Sequence, residues 1–509
     1  MALQLPFSSV FCSFLFFAFS AAPAGASLQN AGKPKPGAAQ DLQKTFSAPA
    51  VEDDPALIER INKSITRGER WLARNQGPQG SWQSEERSAR IGYSELALYA
   101  LTSSSELLTP EQLKELTTKK AGEKPLKTTK PADAAKAKNA DAFDPEAHSI
   151  LISGAIEKGF QFVKKEPFKE TYALSLLLLA IDAYAAPRWE RTSMARMAAD
   201  AKIRYKYPRR LTSADRLWIQ QTVDELCNHR FKGLWSYRKN AGTGDISNTQ
   251  FAVLGLRAAA NCGVAIDPKI WYESIEYFLK FQDDAGPPAS YPMLRSKIGI
   301  DKTIEVISVD AQQRSWGYSF EKGGTPMNGK DGPVQKKKDK PIIGWSFGAT
   351  GTHTSIGIAS LQIARDEVNR CLRAKLDADI RDKLQKDNSR IDKAIRDGLG
   401  WLAGNWNLEE DPGGGFPFYY LYSVERVGAL LGERFLAGHD WYREGAEILL
   451  RRQLPDGAWP SDMGEVNAFG SPDVTTTSFA LLFLRRATAP AVITPDFGEG
   501  KSKQNTTNR

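Results

Sequence analysis

The sequence of 509 residues predicts an all-α protein, a closed double ring of about twelve helices. The first observation behind this prediction is a repeated pattern: an apolar helical stretch, a Gln, three residues and then Gly-x-Trp. The pattern is complete at residues 67–82 and again at residues 445–459. Weaker copies lie between them, at residues 229–235, 277–286 and 401–416. Because a repeat builds the same helix-loop-helix unit many times, it decides the architecture.

The second observation is that another helix follows each loop and is apolar on nearly every face. A helix of this kind is buried, whereas the first helix of each unit is amphipathic, so we expect six inner helices wrapped by six outer ones. Five inner helices are expected at residues 94–101, 249–256, 354–361, 423–430 and 477–484. Residues 150–185 supply a sixth pair. An open solenoid is the alternative, but a solenoid needs polar terminal units, and both terminal units here are the best formed.

The complete repeat at residues 67–82 resembles the QW motif of squalene and oxidosqualene cyclases. More broadly, the chain is similar to the terpenoid cyclase superfamily of α/α toroids, which includes the protein prenyltransferases. The resemblance covers about residues 55–487 and implies an (α/α)6 toroid. In that family the Gln side chain ties the end of the outer helix to the neighbouring Trp. The motif is therefore structural, and function has to be argued from other residues.

The stretches that correspond to the cyclase acid motif lack the acid. Squalene cyclases protonate an alkene with the middle Asp of D-x-D-D-T, at the start of an inner helix. The stretches that begin at Asp245 and Asp473 keep the first Asp and the final Thr, but they carry Ser247 and Thr475 in place of the acid. A hydroxyl group is no strong acid. We expect Asp245 and Asp473 to cap their helices.

The zinc ligands of the protein prenyltransferases are also missing. Those enzymes hold zinc with an Asp-x-Cys pair and a distant His, and this sequence contains no Asp-x-Cys. Cys227 and His229 form its one close Cys/His pair, and His229 takes the Gln position of a repeat. The sequence therefore predicts no metal site and no other cofactor.

The starts of the inner helices should bring aromatic and polar side chains to one end of the cavity. The residues expected there are Tyr93, Asp245, Asn248, His353, Tyr422, Glu425, Arg426 and Asp473, with Trp235, Tyr237 and Trp345 on the preceding loops. The candidate acid or base groups among them are His353, Asp245, Glu425 and Tyr422. His353 can titrate near neutral pH, with capping of its helix as the alternative. Glu425 and Arg426 can equally form an ion pair, because buried charges need partners.

The termini are expected to lie outside the folded domain of residues 55–487. Residues 1–26 read as a signal peptide, with a short apolar run and small residues before a cleavage site after Ala26. This predicts export to the periplasm or the medium, and an uncleaved membrane anchor is the alternative. Residues 27–54 and 488–509 are expected to be a disordered linker and a disordered tail.

The net charge of +8 does not indicate a nucleic-acid-binding protein. The lysines crowd into two inserts at residues 107–147 and 321–341, which are rich in Pro, Gly, Ala and Thr and are expected to be disordered. A folded nucleic-acid site needs Lys and Arg on one packed face. The inserts can instead make peripheral contact with an anionic membrane or polymer.

Two classes of function remain. The first is an enzyme or binding protein for an apolar, isoprenoid-like ligand in an aromatic central cavity, without standard cyclase or zinc chemistry. A toroid enzyme that resembles polysaccharide lyases, with Tyr and His as proton carriers, is an alternative within this class. The second is a non-catalytic scaffold for a protein partner. The sequence decides neither catalysis nor oligomeric state.

Overall fold

A computed structural model shows which of these expected elements form. The structure describes residues 54–82, 92–104, 107–122, 144–165, 169–187, 209, 211–239, 242, 244–296, 304–318, 336–337, 340–341, 349–373, 378–462 and 472–487. The expected signal peptide, the tail and most of the insert at residues 321–341 lie outside these ranges, as does Trp345. All described residues belong to one compact unit, Ala48–Arg509.

The described part of the chain is mostly helical, as the sequence predicts. Its helices are α1 (Pro55–Arg74), α2 (Tyr93–Thr102), α3 (Pro110–Gly122), α4 (Pro145–Lys165), α5 (Thr171–Ala185), α6 (Ser213–Asn228), α7 (Ile246–Asn261), α8 (Pro268–Phe281), α9 (Gly351–Arg373), α10 (Ala378–Gly404), α11 (Pro417–Leu431), α12 (Trp441–Arg452) and α13 (Val474–Leu484). Its strands are β1 (Arg230–Phe231), β2 (Leu234–Trp235), β3 (Pro288–Ser296), β4 (Ile304–Gln312), β5 (Lys336–Lys337), β6 (Lys340–Pro341), β7 (Trp459–Pro460) and β8 (Pro472–Asp473). The strands pair in order as four two-stranded antiparallel sheets.

The helices expected to be buried pack against one another in chain order. Helix α2 contacts α5, α5 contacts α7, α7 contacts α9, α9 contacts α11, α11 contacts α13, and α13 contacts α2. Every residue of α13 is buried, which agrees with its uniformly apolar sequence. The other helices lie outside this set, and α1 shows why: Leu57, Ile61, Ile65 and Leu72 form one buried stripe. No helix of the described ranges is long and apolar enough to cross a membrane.

In the units that carry it, the Gln of the repeat joins the outer helix to the next one. Gln76 Nε2 donates to the carbonyl oxygens of Gly80, at 2.9 Å, and of Ala155 in α4, at 2.8 Å. Gln453 Nε2 makes the equivalent pair of hydrogen bonds, and its second acceptor, at 2.8 Å, is the carbonyl of Ser64 in α1. The side chain thus ties its own loop to the following outer helix, and the last unit is tied to the first.

The Trp of the repeat fills the space between the same helices. Trp82 is fully buried, and its Nε1 donates to the carbonyl of Leu72 at 2.8 Å. The ring packs over Gly159 in α4, where an added Cβ would lie 2.9 Å from Trp82 Cζ3. Trp459 packs over Gly68 of α1 in the same way, at 2.7 Å from the position of such a Cβ. A glycine in the next outer helix therefore provides the room for each of these indole rings.

Helix α3 corrects one prediction. The inserts at residues 107–147 and 321–341 were expected to be disordered, and this is wrong for residues 110–122, for residues 145–147, where α4 begins, and for the short strands β5 and β6. Helix α3 begins with a capping box, in which Thr109 Oγ1 accepts from the Gln112 N–H and Gln112 Oε1 accepts from the Thr109 N–H. Leu113 is buried, and α3 packs against α4. Residues 123–143 of this insert lie outside the described ranges.

The β3–β4 hairpin is a second element that the sequence analysis missed. It replaces the short loop of the unit at residues 277–286 and packs against α10. Alternate residues of the hairpin, such as Tyr291, Met293 and Ile307, are buried, as expected of a sheet with one face on the core. After the hairpin, the indole Nε1 of Trp316 donates to the carbonyl of Phe278 at 2.9 Å. The indole of Trp82 makes the same kind of hydrogen bond, so this unit, despite its longer loop, places a Trp in the equivalent position.

Candidate functional site

The candidate site starts at the N-terminus of α7, where Asp245 is the N-cap. Its Oδ1 accepts from the backbone N–H of Asn248 at 2.8 Å, and its Oδ2 accepts from Asn248 Nδ2 at 2.7 Å. The predicted capping role of Asp245 is thus confirmed. Burial raises the pKa of Asp245 to about 6, although the hydrogen bonds from Asn248 act in the opposite direction. The carboxyl group therefore changes charge close to neutral pH.

Four tyrosines surround this carboxyl group, and we call them the tyrosine site: Tyr172, Tyr237, Tyr318 and Tyr419. The rings of Tyr172 and Tyr237 are 5.7 Å apart, and the hydroxyl oxygens of Tyr237 and Tyr318 are 3.5 Å apart. Burial raises the pKa of all four phenols. Yet Tyr237 is 41% exposed, and the other three rings are half-buried.

An aromatic wall extends from the tyrosine site across the inner helices. Phe251 of α7 lies 4.8 Å from the Tyr172 ring and stacks on Tyr419 of α11 at 6.0 Å. Phe479 of α13 is 5.3 Å from Tyr419 and 5.3 Å from Tyr422. Side chains of α5, α7, α11 and α13 thus form one continuous aromatic cluster beside the tyrosine site, in which Phe251 and Tyr422 are fully buried.

Two hydroxyl groups connect α7 to α11 beside this wall. The Ser247 and Tyr419 hydroxyl oxygens are 2.9 Å apart, and the Tyr419 hydroxyl donates to Gln250 Oε1 at 2.8 Å. Ser247 thus holds a tyrosine in position, which is a structural use of a hydroxyl group.

Helix α11 contributes Tyr422, Glu425 and Arg426, which are all fully buried. The guanidinium of Arg426 lies 4.0 Å from the centre of the Tyr422 ring, and its Nη2 donates to Ser423 Oγ at 2.8 Å. Burial raises the pKa of Tyr422, while the charge of Arg426 lowers it and that of Glu425 raises it. These predicted residues therefore lie together, next to the aromatic wall.

His353 reaches the tyrosine site from the start of α9. Its ring is 5.5 Å from that of Tyr318, and the residue is 8% exposed. The Thr350 hydroxyl caps this helix, because its Oγ1 accepts from the backbone N–H of His353 at 3.0 Å. The Asp411 carboxylate also binds the N-terminus of this helix, because its Oδ1 accepts from the Thr352 N–H. The imidazole thus lies beside the Tyr318 phenol at the edge of the tyrosine site.

The remaining predicted residues hold the structure around the site. Trp235 is fully buried, and its Nε1 donates to the Leu226 carbonyl at 2.9 Å. Asp473 caps α13, as predicted, by accepting from the N–H groups of two threonines at 2.8 and 3.0 Å. Tyr93 is buried at the start of α2. Trp345 lies outside the described residues.

Sequence reasoning missed Tyr172, Tyr318 and Tyr419, although one of them had a signal. Trp316-x-Tyr318 repeats the spacing of Trp235-x-Tyr237, so alignment of these two loops would have found Tyr318. Tyr172 begins the inner helix of the unit without Gly-x-Trp, and no motif marks it.

The comparisons with known proteins give no family. No protein-family model matches the chain, and no curated protein aligns with it significantly. Within the described ranges, no group of three or more His, Cys, Asp or Glu side chains could hold a metal ion. His229 of the candidate Cys/His pair lies with its Nδ1 2.9 Å from Thr171 Oγ1. The function of this chain therefore has to be argued from the geometry of the site.

Proposed function

We propose that this protein is an α/α toroid that binds an apolar, isoprenoid-like ligand in the tyrosine site. The toroid is supported by the order of helix contacts, which returns from α13 to α2. It is also supported by Gln453, which bonds the outer helix of the first unit. In an open solenoid each unit contacts only its neighbours, so the two end units are not joined.

The observation that carries the binding proposal is the combination of shielding and exposure at the tyrosine site. Tyr172, Tyr318 and Tyr419 are shielded enough for burial to raise the pKa of each phenol, yet each residue as a whole is only half-buried. The wall beyond them is formed by Phe251 and Phe479. A largely apolar concave surface with a few convergent polar groups is the usual form of a small-molecule site.

The resemblance to squalene cyclases would then be one of architecture and ligand class, without the cyclisation reaction. The acid at the start of α7 is a single carboxyl, Asp245, whose pKa of about 6 makes it too weak to protonate an alkene. Ser247 binds Tyr419 at the position where the cyclases carry a second carboxyl.

Export of the protein is part of the same proposal. The apolar segment and the small residues before Ser27 support a cleaved signal peptide. Sequencing of the mature N-terminus tests it, since cleavage after Ala26 would leave Ser27 first.

Two alanine substitutions in α5 test the binding proposal. Tyr172 belongs to the tyrosine site, whereas Tyr184 lies at the opposite end of the same helix, 38% exposed. Native mass spectrometry of the purified protein with farnesol, a neutral C15 isoprenoid, should show a one-to-one complex. Tyr172→Ala should weaken this complex and Tyr184→Ala should leave it unchanged. Equal effects of the two substitutions, or no complex with the wild type, would contradict the proposal.

A further inference from the structure

The β3–β4 hairpin has two strand edges, and the sequence protects only one of them. Among the residues that the structure describes, each strand of the hairpin pairs with the other strand alone. Strand β3 contains Pro288 and Pro292. Proline has no backbone N–H and so hinders the addition of another strand, and native proteins use it to keep an edge unpaired. Strand β4, which spans Ile304–Gln312, contains no proline, so its edge is open to pairing.

The register shows which backbone groups of β4 point away from β3. Hydrogen-bonded and non-hydrogen-bonded pairs alternate along an antiparallel ladder. Pro292 lies opposite Ser308 and cannot complete a hydrogen-bonded pair, because it has no N–H. The Gln313 N–H donates to the Pro287 carbonyl at 2.9 Å, so the odd-numbered residues are the ones that bond across the hairpin. The even-numbered residues of β4 therefore direct their N–H and carbonyl groups outward: Ile304, Val306, Ser308, Asp310 and Gln312.

Most of these outward backbone groups are unpaired. The Gln312 N–H agrees with the outward direction, because it donates to Asp397 Oδ1 of α10 at 3.1 Å. In the described part of the chain, the N–H groups of Val306, Ser308 and Asp310 have no acceptor. A row of unpaired backbone groups along a strand is a template on which an extended chain can add as a further strand.

The exposed face of the hairpin carries an apolar pair beside this open edge. Val306 is 46% exposed, and Leu294, which lies directly opposite it in β3, is half-buried. The next residue in the chain, Ile307, is instead buried on the face that packs against α10. Native proteins avoid open edges with exposed apolar side chains, because such edges associate. This edge therefore has the composition of a contact surface.

A second copy of the chain fits the edge of β4. A twofold axis places two β4 strands antiparallel, so that the same edge meets itself. With Val306 opposite its own copy, the two apolar pairs form one strip across four strands. This register also separates the exposed Asp310 from its copy by about eight residues, or roughly 27 Å along the strands. A register centred on Asp310 would place two carboxylates directly opposite each other, which is destabilising.

We propose that the open edge of β4 is a dimer interface, at which β4 pairs antiparallel with β4 of a second copy and the two hairpins form one four-stranded sheet. Strand pairing of this kind covers a small area, so we expect a dimer that dissociates on dilution. The hairpin packs on α10, outside the inner helices that carry the tyrosine site. This inference and the proposed function can therefore fail independently.

Two proline substitutions test which edge pairs. The hydroxyl oxygens of Ser290 and Ser308 are 2.6 Å apart, so replacing either serine removes the same contact. Ser308→Pro also removes an outward N–H from β4, whereas Ser290→Pro removes one from β3, which already carries prolines. Sedimentation velocity on the full-length protein should show a concentration-dependent dimer for the wild type and for Ser290→Pro. Ser308→Pro should raise the dissociation constant about tenfold or more, because each copy loses a hydrogen bond.

Two cysteine substitutions test the register and leave the backbone N–H groups in place. In a hydrogen-bonded antiparallel pair the Cα atoms are about 5.5 Å apart, which a disulfide can span. Val306→Cys should therefore give a covalent dimer on oxidation with copper phenanthroline. Asp310→Cys should not, because its copy is roughly 27 Å away. The wild type, whose own cysteines lie outside the hairpin, gives the background of this assay.

Three results would overturn the proposal. The first is a wild type that stays monomeric over the whole concentration series. The second is an equal loss of dimer in Ser308→Pro and Ser290→Pro. The third is equal cross-linking of Val306→Cys and Asp310→Cys. The wild-type and cysteine results do not depend on whether the proline variants fold.

Discussion

Two glycines of α4 test how tightly consecutive units pack. A Cβ at Gly159 would lie 2.6 Å from Leu98 Cδ2 and 2.9 Å from Trp82 Cζ3, whereas a Cβ at Gly154 would meet no described atom within 4 Å. In either position, Gly→Ala favours the helix by up to about 1 kcal/mol. At Gly159 the methyl group also overfills the core, which costs about 1–3 kcal/mol. Gly154→Ala should therefore raise the free energy of unfolding, and Gly159→Ala should be less stable than Gly154→Ala by about 1–3 kcal/mol.

Urea unfolding measures this difference. The helix signal in circular dichroism reports the whole domain, and the two variants differ from each other only in the position of one methyl group on one helix. Because both substitutions change the unfolded chain equally, its contribution cancels in the comparison. If Gly159→Ala is stabilised as much as Gly154→Ala, the close contact between Trp82 and α4 does not exist, and the reasoning about consecutive units is refuted.

Three further predictions test the fold and the site. Trp459→Ala should lower the free energy of unfolding by about 3–5 kcal/mol, because its ring is fully buried. Trp71→Ala should lower the free energy of unfolding by less, because Trp71 is half-buried. Equal losses in urea unfolding would argue against the packing of Trp459. The pKa of Asp245 is raised to about 6 by burial, so this group's contribution to stability falls as the pH rises through that value. Asp245→Asn should therefore gain stability relative to the wild type between about pH 4 and pH 7, and a pH-independent difference would contradict the raised pKa. His353→Ala should weaken ligand binding with a small change in melting temperature, whereas an unfolded variant would assign His353 a structural role.

The inner helices could be predicted because a helix that is apolar on every face is stable in water only when it is buried. A segment such as Val474–Leu484, apolar on every face, has to be buried, and it is. Helix α3 and the β3–β4 hairpin were harder to predict, because each depends on contacts outside its own segment. Leu113, for example, lies in a lysine-rich insert without a regular apolar repeat, and it is buried in the packing of α3 on α4.

The candidate site could be predicted in position but not in full composition. Capping chemistry located Asp245, since Asp before a long apolar run commonly starts a helix. Tyr419 was missed because Tyr420 stands beside it, and the two side chains point to different faces of α11. Tyr419 reaches Ser247. Tyr420 is instead buried against Gly351 at the start of α9, where an added Cβ would lie 2.5 Å from the Tyr420 ring. Which of two consecutive tyrosines faces the site depends on the rotation of the helix, and sequence alone leaves that rotation open.

The hydrogen bond from Gln453 to Ser64 also has a consequence for biosynthesis. It joins residues 389 positions apart. The first helix of the domain can therefore make this hydrogen bond only after the last unit of the domain has been synthesised. Contacts of such long sequence separation slow folding, because the intervening chain has to be ordered before the ends meet. Until then, the apolar surface of α1 and α2 that α13 covers stays open to solvent and to other chains. The nascent chain therefore exposes this apolar surface until its final unit has been synthesised.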